Sequence, residues 1–262
     1  MRRAALSLLL LMAGGCSHHA PVADVRPETL PQSPGEAYIV WGRVLNSYVT
    51  ETGKIDFELL KHDGARDLNT FVAWVATHGP SSQPADYPTP QAKIAYWVNS
   101  YNALAMYDVL TNTARPATFL GRAKFFALTK FDVDGKPIDL HSYEDEVIRP
   151  AGEERVHFEL NCMVRGCPRL PQVPLSPNPS TQEEELRNAA KLFFSEPRNV
   201  ELHPEKKVVR MSSIPAKFYP KDFKAKAPSL IAYANKWRAP DQQIPADYKV
   251  KAIPYDWTLN QK

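Results

Sequence analysis

His157, Cys162 and Cys167 fall within one short stretch and are the residues of this chain best suited to nucleophilic chemistry. A cysteine attacks as its thiolate, so it needs a nearby base or cation, and that base needs a third group to orient it. His157 is the candidate base and Glu144 the candidate orienting carboxylate. Cys167 stands between Gly166 and Pro168, a rigid and sterically open position, which makes it a better nucleophile than Cys162. The chemistry implied is thiol-dependent hydrolysis or acyl transfer at an amide or ester bond. The same residues admit other readings. Cys162 and Cys167 are close enough in sequence to close a small disulfide, which would remove both nucleophiles and leave a non-catalytic binding or interaction module. His157, Cys162, Cys167 and Glu144 are also zinc-type ligands. They lack close CxxC or HxxxH spacing, so no metal is assigned, and no cofactor is called.

A second group is Asn99, Tyr101 and Asn102. Asparagine is a poor helix-interior residue because its amide competes for backbone partners. Residues 99 and 102 share one helical face, and buried amides must find hydrogen bonds. They either pin a neighbouring loop or line the pocket of His157 as substrate-binding groups. Arg155, with Arg149, is a candidate for holding a substrate carboxylate, the alternative being an ordinary ion pair. Asp256 and Trp257 read as locking the C-terminus onto the core.

These side chains require a scaffold to position them. Trp41, Val44, Leu45 and Tyr48 recur at helical spacing and predict a helix over 35–50. Asp67 can cap a second helix carrying Leu68, Phe71, Val72 and Val75. The proline-rich stretch 79–90 is a loop, and the long apolar segment 92–110 is the central helix. Phe131 to Leu140 reads as a hairpin about Asp134-Gly135, and Ser142 can cap a short helix through Arg149. Val156, Phe158 and Leu160 alternate with His157, Glu159 and Asn161, which predicts a strand over 155–161. A loop from Cys162 to Pro179 precedes a helix opened by the capping box Ser180 to Glu183. A second hairpin over 200–211, a helix over 230–237 and an extended tail over 248–260 complete the domain. The expected fold is α+β, a single domain over 35–262 with a central helix packed against a small, mainly antiparallel sheet. A distant analogy to papain- and transglutaminase-like folds would set the central helix end against the histidine strand, with asparagine at the nucleophile's place.

Several segments together resemble the domain of unknown function 547 family. They are Ala95 to Leu104, Leu140 to Arg149 around Tyr143-Glu144, Arg155 to Cys162 with Gly166-Cys167-Pro168, and Tyr255 to Asn260. Glu159 and Gly166 depart from the family pattern, which usually has a small residue and serine there. Met163 and Val164 stand where small residues are common. The resemblance implies a fold and a residue constellation, and it implies no reaction.

The chain opens with Met1-Arg2-Arg3, an apolar run over 4–13, and Gly14-Gly15-Cys16. This is the pattern of a signal peptide over 1–15, and the apolar run is too short to span a bilayer. Ala13-Gly14-Gly15-Cys16 looks like a lipobox, so Cys16 is expected to be lipidated and to hold the mature chain on the bilayer. Residues 16–34, rich in Pro, Ser, His and Ala, read as a flexible tether with His18 and His19 solvated. The expected location is the cell envelope, periplasm-facing, with the outer membrane favoured because Ser17 is not Asp. Loss of Arg2 and Arg3 takes the formal charge from +3 to +1, which gives no electrostatic case for nucleic acid. Proline is abundant (24) and glycine scarce (11), so the loops should be stiff.

Overall fold

The computed structural model describes residues 18–20, 25–111 and 116–262. Helix α1 (Pro34–Tyr48) starts where Ser33 accepts a hydrogen bond from the Glu36 amide and Pro34 presets the first turn. Its buried face carries Ala37, Trp41, Val44 and Leu45. A short helix α2 (Phe57–His62), capped by Asp56, was not legible in the sequence. Helix α3 (Arg66–Thr77) is entered through left-handed Gly64 and Ala65 rather than a side-chain cap. Asp67 lies inside its first turn and pairs with Arg43 at 2.7 Å. Trp41 stacks on Phe71 and Phe71 on Trp74, which holds α1 against α3.

Helix α4 (Pro90–Thr111) buries residues all round its circumference, the mark of a helix in a core's centre. Its close neighbours are α1, α3 and three later segments: α6 (Leu140–Ser142), the π-wound turn Tyr143–Ile148 and α7 (Pro179–Ser195). The central helix therefore packs among helices rather than on a sheet. Helix α5 (Phe119–Ala123) runs on into a π-wound segment, Lys124–Leu128. The cap of α6 is Asp139, whose carboxylate accepts from the Ser142 amide, and the cap of α7 is Asn178, two residues before the expected Ser180.

Two three-stranded sheets flank this bundle, each with one antiparallel and one parallel pairing. Strands β2 (Thr129–Val133) and β3 (Lys136–Ile138) form the expected hairpin, with Val133 opposite Lys136. Both turn residues, Asp134 and Gly135, have positive φ, as a tight two-residue hairpin requires. Strand β1 (His18–His19) lies parallel to β2, with His18 opposite Thr129 and His19 opposite Lys130. The described residues of the segment read as a tether, 18–20 and 25–34, thus include a part docked on the domain. His19 Nε2 meets Asp132 at 3.1 Å, Ala20 is buried, and Leu30 packs on the core. The open edge of β2 offers unpaired backbone groups, and the nearby segment takes them. Cys16 and the signal segment 1–15 lie outside the described residues.

The second sheet joins β4 (Val200–His203) and β5 (Val208–Met211) as a hairpin, with β6 (Lys249–Ala252) parallel to β5. With α7, α8 (Pro220–Lys224) and α9 (Leu230–Asn235) it encloses a second apolar cluster around Phe158, Phe193, Phe194 and Tyr233. The strand expected over 155–161 is instead a 3-10 turn, Glu154–Phe158. Glu153 accepts a bond from the Arg155 amide and starts the turn. The alternation in the sequence has another cause: Val156 and Leu160 enter the first cluster while Phe158 enters the second. The segment is buried on both sides and ties the two clusters into one α+β domain.

Candidate active site

The turn Glu154–Phe158 delivers His157 to a small cavity of ≈ 70 Å³, also lined by Tyr101, Glu144, Cys162, Cys167 and Tyr255. Tyr101 comes from α4 and donates to Glu144 at 3.4 Å. Glu144 comes from the π-wound turn, which presents it toward His157. The His157 ring stacks on Tyr219 at 4.1 Å between centroids. Its Nε2 meets Asp222 at 3.0 Å and its Nδ1 faces Glu144 at 3.5 Å. Asp222 in turn accepts two bonds from Arg149, at 2.8 and 3.0 Å.

This row of alternating charges decides the state of His157. Burial works against its charge, but the bonds to Asp222 and Glu144 prevail and hold its pKa above the ordinary imidazole value. The bond from His157, opposed by partial burial and supported by Arg149, holds Asp222 well below the usual carboxylate range. With a carboxyl group at each ring nitrogen, His157 is held toward its protonated form and orders the cavity wall. The expectation that it serves as base to Cys167 is corrected: its nitrogens face Glu144 and Asp222, and neither is directed at a sulfur.

The cysteines sit in a tight loop braced by Asn161. Its amide donates to the Pro168 carbonyl and accepts from the Met163 amide, each at 2.7 Å, and Met163 turns the chain with positive φ. This loop aims the Cys162 N–H at Cys167 Sγ, 3.0 Å away. The two sulfurs are 2.7 Å apart and both are free thiols. The hydroxyl of Tyr255 lies 3.1 Å from Cys167 Sγ and 3.6 Å from Cys162 Sγ. Tyr255 is brought there by the C-terminal tail, which is bonded across the loop through Arg165 N–H to the Thr258 carbonyl and Gly166 N–H to the Asp256 carbonyl. Gly166 permits the approach, since a Cβ there would sit 2.8 Å from the Tyr255 ring.

These contacts split the two thiols. Burial pushes Cys167 up, but the hydrogen bonds from Cys162 and Tyr255 outweigh it, and its pKa falls below the ordinary thiol value. The bond with Cys167, reinforced by burial, drives Cys162 well above that value. The arrangement thus favours the thiolate on Cys167 over Cys162, with Cys162 and Tyr255 as its donors. Cys167 also borders a wider cleft of ≈ 600 Å³ on its other side, with Lys54, Arg165 and Arg198 on the rim.

Asn99, Asn102 and Arg155 are not among the residues lining the small cavity, which corrects their placement there as substrate-binding groups. Asn99 bonds both the amide and the carbonyl of Leu175, and Asn102 bonds the Glu159 carbonyl and the Asn161 amide. They pin the two ends of the cysteine loop to α4. Arg155 is spent on Glu153 and Glu183. Tyr101 does line the cavity. Asp222 and Tyr219 gave no sequence signal, because they lie far along the chain in an unremarkable Lys-rich stretch. Tyr255 belongs to the Tyr255-Asp256-Trp257 segment, which was legible only as a tail lock. Among the described residues no group of three or more His, Cys, Asp and Glu could hold a metal ion, and none of the helices is long and apolar enough to cross a membrane.

No curated protein and no solved structure matches the chain, so the papain- or transglutaminase-like analogy gains no support, and the histidine strand it needed is absent. Residues 86–194, which hold α4, Glu144, the His157 turn, both cysteines and most of α7, match the family model described as protein of unknown function, DUF547.

Proposed function

We propose that the mature chain is a lipid-anchored, periplasm-facing envelope protein, outer membrane favoured, in which Cys167 is the nucleophile of a thiol-dependent hydrolase or acyl transferase. The anchoring half of this reading rests on the sequence Ala13-Gly14-Gly15-Cys16. The observation that carries the chemical half is the convergence of three donors on Cys167 Sγ: Cys162 N–H, the Cys162 thiol and the Tyr255 hydroxyl. They stabilise a thiolate without a histidine base. In this reading the Cys167 thiolate attacks the carbonyl carbon of an amide or ester, forming a C–S bond. The leaving nitrogen or oxygen takes the Tyr255 proton as its bond to carbon breaks. Water or an acceptor nucleophile then cleaves the thioester and returns a proton to Tyr255. His157, Glu144 and Asp222 are positioning residues for the wall opposite the sulfurs.

The test is the pH dependence of alkylation by iodoacetamide. The expected outcome is a Cys167 reacting below the ordinary thiol pKa, with Tyr255→Phe shifting that titration upward and Cys167→Ser abolishing it. A titration at the ordinary thiol value, unmoved by Tyr255→Phe, sinks the proposal. A second reading is favoured by the short distance between the sulfurs: a non-catalytic binding module closed by a Cys162–Cys167 disulfide. Protein isolated from the envelope without reductant then has an intact mass two hydrogens lighter and does not alkylate.

A further inference from the structure

Phe119 and Leu120 stand out as large apolar side chains left in solvent, at 68% and 79% exposure, with Leu128 at 41%. All three belong to one continuous helical segment, α5 with its π-wound extension to Leu128. Phe119, Leu120, Ala127 and Leu128 are all exposed, so the segment leaves an apolar edge in solvent at both of its ends. The opposite side is fixed to the protein: Phe125 is fully buried and Phe126 lines the thiol cavity. Arg122 is held over the Trp257 ring at 4.8 Å. From Val109 to Phe131 the sequence contains no acidic residue. This is a basic amphipathic segment whose apolar edge is uncovered.

Its place in the fold says what covers it. His18 pairs with Thr129, the residue that follows Leu128. Cys16 precedes His18 by two residues, so its Cα is within about 7 Å of extended chain from β1. The docking of β1 thus brings the proposed lipid attachment point beside the end of the apolar edge, where a free tether would have left the two unrelated. We infer that Phe119, Leu120 and Leu128 enter the bilayer interface, with Lys124 meeting anionic headgroups. The helix would then be a second membrane contact that fixes how the domain sits on its anchor. Because the inner side of the same helix supplies Phe126 to the thiol cavity, that cavity opens close to the membrane surface. This inference rests on the reading of Cys16 as the anchor.

The mature chain, without residues 1–15 and carrying Cys16→Ser, lacks both the anchor and the apolar signal run and keeps the helix intact. It is expected to co-sediment with vesicles of phosphatidylethanolamine and phosphatidylglycerol. Adding Phe119→Asp and Leu120→Asp should weaken that binding by at least roughly tenfold; equal binding by the two chains overturns the inference. A Leu120→Trp variant of the Cys16→Ser chain gives a reading that does not depend on loss of binding. Its emission is expected to shift to the blue when vesicles are added, and an unchanged spectrum overturns the inference. Labelled palmitate tests the anchor separately, through its incorporation into the unsubstituted chain but not into Cys16→Ser. Labelling without vesicle binding removes the helix contact and keeps the lipoprotein. Vesicle binding without labelling removes the lipoprotein and keeps the helix contact.

Discussion

His157 and Glu159 are two residues apart, and both are buried titratable groups, but their surroundings push them in different ways. The folded pKa of His157 is raised, so its charge stabilises the fold fully below the unfolded value of about 6.5 and is lost as pH rises through the folded value. Asp222 is lowered, so its share is present above about 3.9 and is lost as pH falls further. The pair is at full strength between those limits. His157→Gln should therefore cost about 3 kcal/mol near pH 5.5 and progressively less at alkaline pH, as read by urea unfolding across pH. Among the described residues no cation pairs with the Glu159 carboxyl, and burial, with Glu185 adding to it, raises its pKa to about 8. Its folded form prefers the proton, so stability falls as pH rises from the unfolded value toward 8 and the loss then levels off. Glu159→Gln should raise stability by about 3 kcal/mol at about pH 9 and change little at about pH 4; no difference between the two conditions would remove this account of Glu159.

At the scale of elements, the cysteine loop is held by two braces. One is α4, through Asn99 and Asn102, and the other is the C-terminal tail, through Asp256 and Thr258. Asn102→Ala leaves the Glu159 carbonyl and the Asn161 amide buried without their partner. It should cost about 2–4 kcal/mol in chemical denaturation, since each orphaned group costs about 1–3 kcal/mol. Gly166→Ala acts differently. Its methyl group meets the Tyr255 ring rather than empty space, so it should displace the hydroxyl from Cys167. The expected result is a modest loss of stability together with slower alkylation of Cys167 at neutral pH. Equal alkylation rates would show that Tyr255 does not support the thiolate. The asparagine face on α4 was legible from its spacing, although its partners were not. The strand assigned to His157 was misread because alternation reports burial on two sides as readily as it reports a sheet, and no neighbouring strand is there to pair with it.

Across the whole molecule, two apolar clusters meet at the Glu154–Phe158 turn. Phe158 contacts Phe193, Phe194 and Phe223 in the second cluster, while its neighbours Val156 and Leu160 belong to the first. Phe158→Ala should cost about 3–5 kcal/mol and loosen the coupling of the clusters. Calorimetry is expected to show one unfolding transition for the parent chain and a broadened or split one for the variant. A single sharp transition at lower temperature would mean that other contacts join the clusters.

The sequence by itself determined the elements whose signals are local. These include α1, the central helix, both hairpins, the cysteine loop and the resemblance that the family model over residues 86–194 matches. Helical periodicity and an Asp-Gly turn act over a few residues, so they can be read without the rest of the chain. It also brought Glu144, His157 and the two cysteines forward as one group, and the tertiary structure places all four around one cavity. Only the tertiary structure decided what they do to one another. The raised pKa of His157 depends on Asp222, and the lowered pKa of Cys167 on Tyr255, residues far off in sequence that long-range packing brings within 3.1 Å of their partners. A pKa is set by every charge and dipole within a few ångströms, and that neighbourhood exists only once the chain has folded.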